Sequence, residues 1–206
     1  QPLPAQGGKE RLATPLTSRA AFQLRTLDRR IQGTGGPATA GTYVGYNLNN
    51  IFDPTRGTWR FSHYYYLRNG TGTTWENGAQ LAMAVSEMDL LKAEGLIRLG
   101  RAAEALPLIN KTRVANGKLP LVTVDGPPIE PGCVPRKLNG DCGSLWDALR
   151  HEKRIEGLGV SGVIAFFDAR GWQSLPENTP IHWPVPGREL AVLRGATGKQ
   201  HCAPAR

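Results

Sequence analysis

The side chains with reactive chemistry are few and scattered. The chain has three cysteines. Cys133 and Cys142 flank a loop rich in proline and glycine, and Cys202 stands alone near the C-terminus. The first pair lacks the CxxC step of a zinc site and has no second Cys or His pair nearby. Two readings stay open for it: a disulfide that closes the loop, or two free thiols. Cys202 is a free thiol or a link between molecules. His63, His151, His182 and His201 show no HxH, HxxxH or HExxH spacing. They read as packing or surface groups, and no metal is expected. Arg150, Glu152, Arg154 and Glu156, with Asp168 and Arg170 further on, carry both charges. Acid–base catalysis is one reading of that cluster. Ion pairing along a helix face is the plainer one, because opposite charges three or four residues apart meet there. No serine sits in a GxSxG elbow, and Ser161 reads as a plain loop serine. No catalytic residue is assigned.

The aromatic residues are the stronger binding candidates. Trp59, Tyr64, Tyr66 and Trp75 lead a set that also holds Tyr65, Trp172 and Trp183. A flat ring can stack on a sugar and, in tyrosine, adds a polar handle. The competing reading is core packing of a strand. Asn69-Gly70-Thr71 fits the glycosylation acceptor pattern in a loop, and Asn110-Lys111-Thr112 fits it within an expected helix. The glycine-rich stretch 33–41 is not a phosphate cradle, since no GK[ST] follows, and Gly198-Lys199 fails the same test. No cofactor is expected. The formal net charge is +8, but lysine and arginine are dispersed and no zinc-finger, helix-turn-helix or RNP-type motif accompanies them. A basic soluble surface is therefore expected rather than a nucleic-acid interface.

These residues must be placed by a mostly helical frame. Ser86 with Asp89 reads as a helix cap, and Met88, Leu91, Gly95 and Leu99 follow at helical steps. Gly100 ends that helix. A second helix runs from about Ala102 to Ala115, with Ala102, Leu106 and Ile109 on one side. Ala93, Ala103 and Ala105 are small enough to let the two approach closely. The spans expected are about 84–99 and 102–116, with Pro107 forcing a kink or a start near Glu104. Ser144 and Asp147 cap a third helix. A helix is also expected over Ser18–Ile31, a strand at Tyr43–Leu48, and a half-buried strand at Trp59–Arg68 that alternates with period two. Leu119–Val124 is apolar, and Asp125–Cys142 is a long loop with prolines.

The wording of these helices is more specific than their layout. EMDLLKAEGLIRLGRAAEALPLINKTR resembles the tetratricopeptide-like repeat in the C-terminal half of SusD/RagB-like proteins. SLWDALRHEKRIE, FFDARGW and TPIHWPVPGREL are similar to later stretches of that family and occur in its order, so the resemblance spans roughly residues 59–190. Those proteins are outer-membrane nutrient-uptake lipoproteins that work with a TonB-dependent transporter. The resemblance implies extracellular residence, which favours a Cys133–Cys142 disulfide. It implies a short buried helix over Val163–Phe167. It carries over no binding residue, because the family's aromatic clusters lie mostly outside the matching stretch.

The expected fold is mostly α: a tetratricopeptide-like hairpin, a third helix, a small β element and long irregular loops. Residues 1–80 form an extended arm with a short helix and strand, and 81–206 form the hairpin and the SusD-like C-terminal region. The chain lacks an initiating Met, a signal peptide and an N-terminal cysteine, and reads as processed or excerpted. No run approaches the ~20 apolar residues of a transmembrane helix. The expected function is non-enzymatic, at the cell surface or outside the cell: binding glycan or another nutrient for TonB-dependent uptake. The alternative is a self-assembling extracellular structural protein that forms filaments. Expected partners are the transporter or copies of the chain itself, with carbohydrate as ligand. One hairpin and one helix leave apolar faces open, and helical repeats normally need about three stacked units to close a core.

Overall fold

The computed structural model describes residues 24–46, 52–53, 58–59, 64–68, 81–137, 139–160, 164–177, 179, 187–189 and 191–192. The elements in chain order are β1 (Val44–Tyr46), β2 (Phe52–Asp53), β3 (Thr58–Trp59), β4 (Tyr64–Tyr66), α1 (Val85–Arg98), α2 (Ala102–Ala115), α3 (Leu145–Glu156) and α4 (Ile164–Gly171). The protein is mostly helical with small antiparallel strand pairs, as the sequence led one to expect. It divides into two compact units, Gln1–Ala165 and Phe166–Arg206.

In the first unit α1 and α2 form a hairpin. A short connection leaves antiparallel packing as the available arrangement. Gly100 makes the turn at φ +76°, a conformation that glycine reaches without a Cβ clash. Its N–H bonds to Ile97 O at 3.0 Å and that of Arg101 to Leu96 O at 2.9 Å, so α1 ends in a Schellman arrangement. The start differs from expectation. Helix α1 begins at Val85, and Glu87 rather than Asp89 reaches back, its Oε2 accepting from Ala84 N–H at 2.8 Å. Ser86 is therefore inside the helix and not its cap.

The face of α1 differs too. Leu90, Ala93 and Leu96 are buried, while Met88, Leu91 and Leu99 are exposed. Both stripes obey helical spacing, so periodicity alone cannot choose between them. The inner stripe wins because Ala93 meets Ala105 and Ile109 in a core completed by Val122, Leu145, Ala148 and Leu149. Ala103 faces outward and contributes nothing to the close approach. Helix α2 does not begin at Glu104. It runs from Ala102 through Pro107 without interruption, Pro107 being exposed. Ile109 lies on its buried side, with Ala102 and Leu106 packed against the core edge.

Helix α3 starts as read. Asp147 N–H donates to Ser144 Oγ at 3.2 Å and Ser144 N–H donates to Asp147 Oδ2 at 2.9 Å, a reciprocal capping box. Leu145 and Leu149 are buried on its inner side.

The N-terminal segment departs most from expectation. Residues 24–31 are bend and turn rather than the second half of a helix, and Leu27 is exposed. Asp28 causes this. Its Oδ1 accepts the Arg30 N–H at 3.0 Å, a local bond that competes with helical pairing. The expected strand at Trp59–Arg68 also resolves differently at its two ends. Residues 64–66 pair with β1 (Val44↔Tyr66, Tyr46↔Tyr64), whereas Trp59 pairs with Phe52.

Helix α4 begins at Ile164, two residues before the second unit, and is closed by Trp172 N–H to Asp168 O at 2.9 Å and Ser174 N–H to Ala169 O at 2.8 Å. It is a helix, as expected, but none of its side chains is buried and Phe167 is half exposed. Phe166 and Phe167 meet edge to face at 5.6 Å.

Candidate functional site

The densest chemistry is a buried cluster of charge between the N-terminal turn, α2 and α3. Arg30 is its centre and has no solvent access. Its Nε and Nη2 donate to the two oxygens of Asp28 at 2.9 and 2.7 Å. Its Nη1 donates to Glu152 Oε2 at 2.6 Å and to Glu156 Oε1 at 2.9 Å. Every nitrogen of the guanidinium is thus spent on a carboxylate. Glu152 and Glu156 share a face of α3 because they are one helical turn apart.

Arg113 on α2 is equally buried. It donates to Glu152 Oε1 at 3.1 Å, to Pro120 O at 2.8 Å and to Val134 O at 2.7 Å. It therefore joins α3, the chain leaving the hairpin and the cysteine loop. His151 Nε2 lies 2.9 Å from Asp28 Oδ2. Tyr43 Oη lies 3.3 Å from both Glu156 oxygens and accepts from Asn116 Nδ2 at 2.8 Å. Arg68 stacks over the Tyr43 ring at 4.3 Å and donates to Glu156 O. Three arginines thus face three carboxylates.

The electrostatics follow from this pairing. Burial would raise the Asp28 carboxyl, but hydrogen bonds and charge from His151 and Arg30 outweigh it and hold the group well below the usual carboxylate range. Burial likewise works against charged Arg30, and the bonds from Asp28 and Glu152 overcome it, so its proton is held more tightly than usual. At Arg113 burial dominates and lowers the group, with Glu152 opposing. Tyr43 is raised, first by burial and then by the Glu156 charge. The carboxylates of Asp28, Glu152 and Glu156 are each paired with a buried arginine, so the arrangement is a charge clamp. Replacing such a network by apolar groups is often nearly neutral in stability, while removing one member leaves a bare buried charge.

The expectation of ion pairing in α3 holds in kind but not in partners. Glu152 and Glu156 pair with Arg30 and Arg113 from distant segments, while Arg150 lies 3.9 Å from Asp147 one turn back on its own helix. Lys153, also on α3, reaches Glu94 of α1 at 2.6 Å, and Glu94 takes Arg98 as well at 2.7 Å.

The aromatic candidates are placed differently from one another. Tyr64 is half-buried: its ring meets Tyr46 edge-on at 5.0 Å and its Oη accepts from Leu24 N–H at 2.6 Å. Tyr66 is exposed. Tyr65, on the opposite face of β4, is exposed too, with its ring lying across Gly45, where an added Cβ would sit 2.4 Å from the ring. Gly45 is thus the position that lets the ring lie flat on the strand pair. Trp59 is placed in β3 by its backbone. Trp75, Asn69, Cys202, His63, His182, His201 and Trp183 lie outside the described residues.

Cys133 and Cys142 stand at disulfide distance, 2.11 Å between sulfurs and 5.5 Å between Cα atoms. Asn110 does lie within a helix, and its side chain is committed: its Nδ2 donates to Val122 O at 3.1 Å and its Oδ1 accepts Val122 N–H at 2.8 Å. Among the described residues no group of three or more His, Cys, Asp or Glu stands where it could hold a metal ion. Among them too, no helix is long and apolar enough to cross a membrane.

Sequence reasoning missed Asp28, Arg30 and Arg113 as a unit. The spacing in Asp28-x-Arg30 is the one local trace, because a short carboxylate two residues ahead favours a turn. No protein-family model, no curated protein and no solved structure matches this chain.

Proposed function

We propose that the protein is a non-enzymatic component at the cell surface or outside the cell, of SusD/RagB-like type, that binds a glycan or other nutrient for TonB-dependent uptake. The observation that carries this reading is the tyrosine strand. Tyr65 and Tyr66 keep 40% and 45% of their surface exposed on a strand pair whose neighbours Tyr46 and Tyr64 are packed together. Aromatic rings left open on an ordered support present flat apolar area with a polar rim, which suits a sugar face. The strongly perturbed charged groups are turned inward and paired, which supports a structural rather than a catalytic use for them. The cysteine pair supports an oxidising compartment. The reading is tested by screening the full chain against a panel of neutral and acidic oligosaccharides, and by co-purification with the transporter from membranes. Binding to no saccharide, or hydrolysis of any of them, would replace it.

A second reading is favoured by a separate observation. The outer face of α1 exposes Val85, Met88, Leu91 and Leu99, the last 72% open. An apolar row of this length on a surface helix marks a contact face. It supports assembly of copies of the chain into an extracellular filament. Light scattering and electron microscopy of the purified protein distinguish the two, since regular polymers belong only to the second.

A further inference from the structure

Asparagine followed by glycine occurs at Asn69, Asn77, Asn116 and Asn139. Such a step can close on itself. The glycine nitrogen attacks the asparagine Cγ, ammonia leaves and a five-membered succinimide forms. Water then opens the ring to isoaspartate or aspartate. Two conditions set the rate: the peptide plane after the asparagine must turn, and the glycine nitrogen must lose its proton. Asn69 and Asn77 lie outside the described residues. The fold treats Asn116 and Asn139 oppositely.

Asn116 is locked. It is the C-cap of α2, at φ −101° and ψ −45°. Its own N–H and that of Gly117 both donate to Thr112 O, at 2.8 and 3.1 Å. Its side-chain Nδ2 donates to Tyr43 Oη at 2.8 Å. Gly117 is buried, and a Cβ there would lie 2.7 Å from Arg113 O and 3.1 Å from Arg30 Nη2. The peptide plane has no room to turn.

Asn139 stands in the loop closed by the cysteine pair, and it is open. Asn139, Gly140 and Asp141 are all exposed. Gly140 has φ +94°, and among the described residues nothing beyond its chain neighbours lies within 4 Å of where a Cβ would sit. Its N–H donates to Lys137 O at 3.0 Å, and a backbone bond exposed in a loop opens readily to water.

The side-chain amide is held by the residue after the glycine. Asn139 Oδ1 accepts Asp141 N–H at 3.2 Å, and its Nδ2 donates to Asp141 Oδ2 at 2.7 Å. The first bond draws electrons from Cγ, the atom attacked. Arg136 Nη1 donates to Gly140 O at 3.2 Å. Its positive charge beside the nitrogen that must ionise favours the anion.

We propose that Asn139 is a self-modifying site: the folded chain converts it through the succinimide to isoaspartate and aspartate, while the fold keeps Asn116 unreacted. The change acts on the loop. A carboxylate takes the place of the amide and faces the Asp141 carboxylate, so a hydrogen bond becomes a repulsion. In isoaspartate the backbone also gains a methylene. The turn between Lys137 and Asp141 therefore loosens, and the formal net charge of +8 falls by one unit.

The test is incubation of the full chain at mildly alkaline pH, followed by peptide mapping that separates the asparagine, aspartate and isoaspartate forms of each step. Asn139 should convert at least about tenfold faster than Asn116. The same incubation in urea removes the protection, and the two sites should then convert at similar rates. Asn139→Gln, which would need a larger ring, should abolish conversion at that position without moving the thermal melt. Equal rates for the two sites in the folded chain overturn the proposal. So does an unchanged Asn139 in the folded chain over the time in which the urea-treated chain converts.

Discussion

Arg30 and Glu152 are separated by 122 residues in sequence and meet at 2.6 Å with neither side chain open to solvent. The same Glu152 also takes Arg113 of α2 at 3.1 Å. One carboxylate on α3 thereby fixes both the N-terminal turn and the hairpin. Apolar packing of α1, α2 and α3 brings the helices together, and this contact sets where the N-terminal segment lies on them.

Removing that carboxylate should be costly. Glu152→Ala leaves Arg30 and Arg113 short of a counter-charge inside the protein, and a loss of about 3–5 kcal/mol in unfolding free energy is expected from urea denaturation. Lys111→Ala, which breaks an exposed pair with Asp89 between the two helices of the hairpin, should cost no more than about 1 kcal/mol. Equal effects for the two would contradict the assignment of the buried cluster as the clamp.

Acid should act through Asp28. Its folded carboxyl is held well below the ordinary value of about 3.9 by His151 and Arg30 despite burial. The unfolded chain therefore takes up the proton first, and stability contributed by the pair is complete above the unfolded value and lost as pH falls below it. Urea midpoints should begin to drop near pH 5 and keep falling below about pH 4, and Asp28→Asn should start lower and fall less steeply. A parallel curve for the variant would show that another group sets the acid limit.

The Gly41 position gives a local check on the turn around Arg30. A Cβ there would lie 2.5 Å from Arg30 O and from the Ile31 carbonyl carbon, both backbone atoms. Gly41→Ala should cost about 1–3 kcal/mol, as forced overpacking does. Gly95 is the contrast: it is helical and nothing lies within 4 Å of the added atom. Gly95→Ala should stabilise by up to about 1 kcal/mol through helix propensity. Thermal melts of the two variants should therefore move in opposite directions.

Legibility in the sequence followed the range of the interaction. The helix ends at Gly100 and Ser144 were readable because the caps that make them are local. The choice between the two stripes of α1 was not, because Leu90 and Leu91 both fit the period and only Ala105, Ile109 and Leu149 decide between them. The turn at Asp28 was lost under an apparent amphipathic helix, since Leu24, Leu27 and Ile31 have helical spacing while Arg30 has partners more than a hundred residues away. Of the tyrosines, the alternation of 64–66 was legible, but which ring stays open was not: Tyr64 is engaged by Leu24 and Tyr46, and Tyr65 is laid on Gly45.

The cysteine pair bears on the compartment. Cys133 and Cys142 are nine residues apart and their Cα atoms are 5.5 Å from each other. Reduction should lower stability by about 2–3 kcal/mol in the chain-entropy account of so short a loop, read as a shift of the urea midpoint with and without reductant. Alkylation of both thiols in native protein isolated without reductant would remove the support for an oxidising compartment.

The central functional claim is that the tyrosine strand binds saccharide. Its most direct measurement is calorimetric titration of the full chain with neutral oligosaccharides. The account predicts saturable binding that Tyr66→Ala weakens by about tenfold and that Lys111→Ala on the hairpin leaves unchanged. No binding of any neutral saccharide by the native chain, or binding as strong as the native chain's in both Tyr65→Ala and Tyr66→Ala, would contradict it.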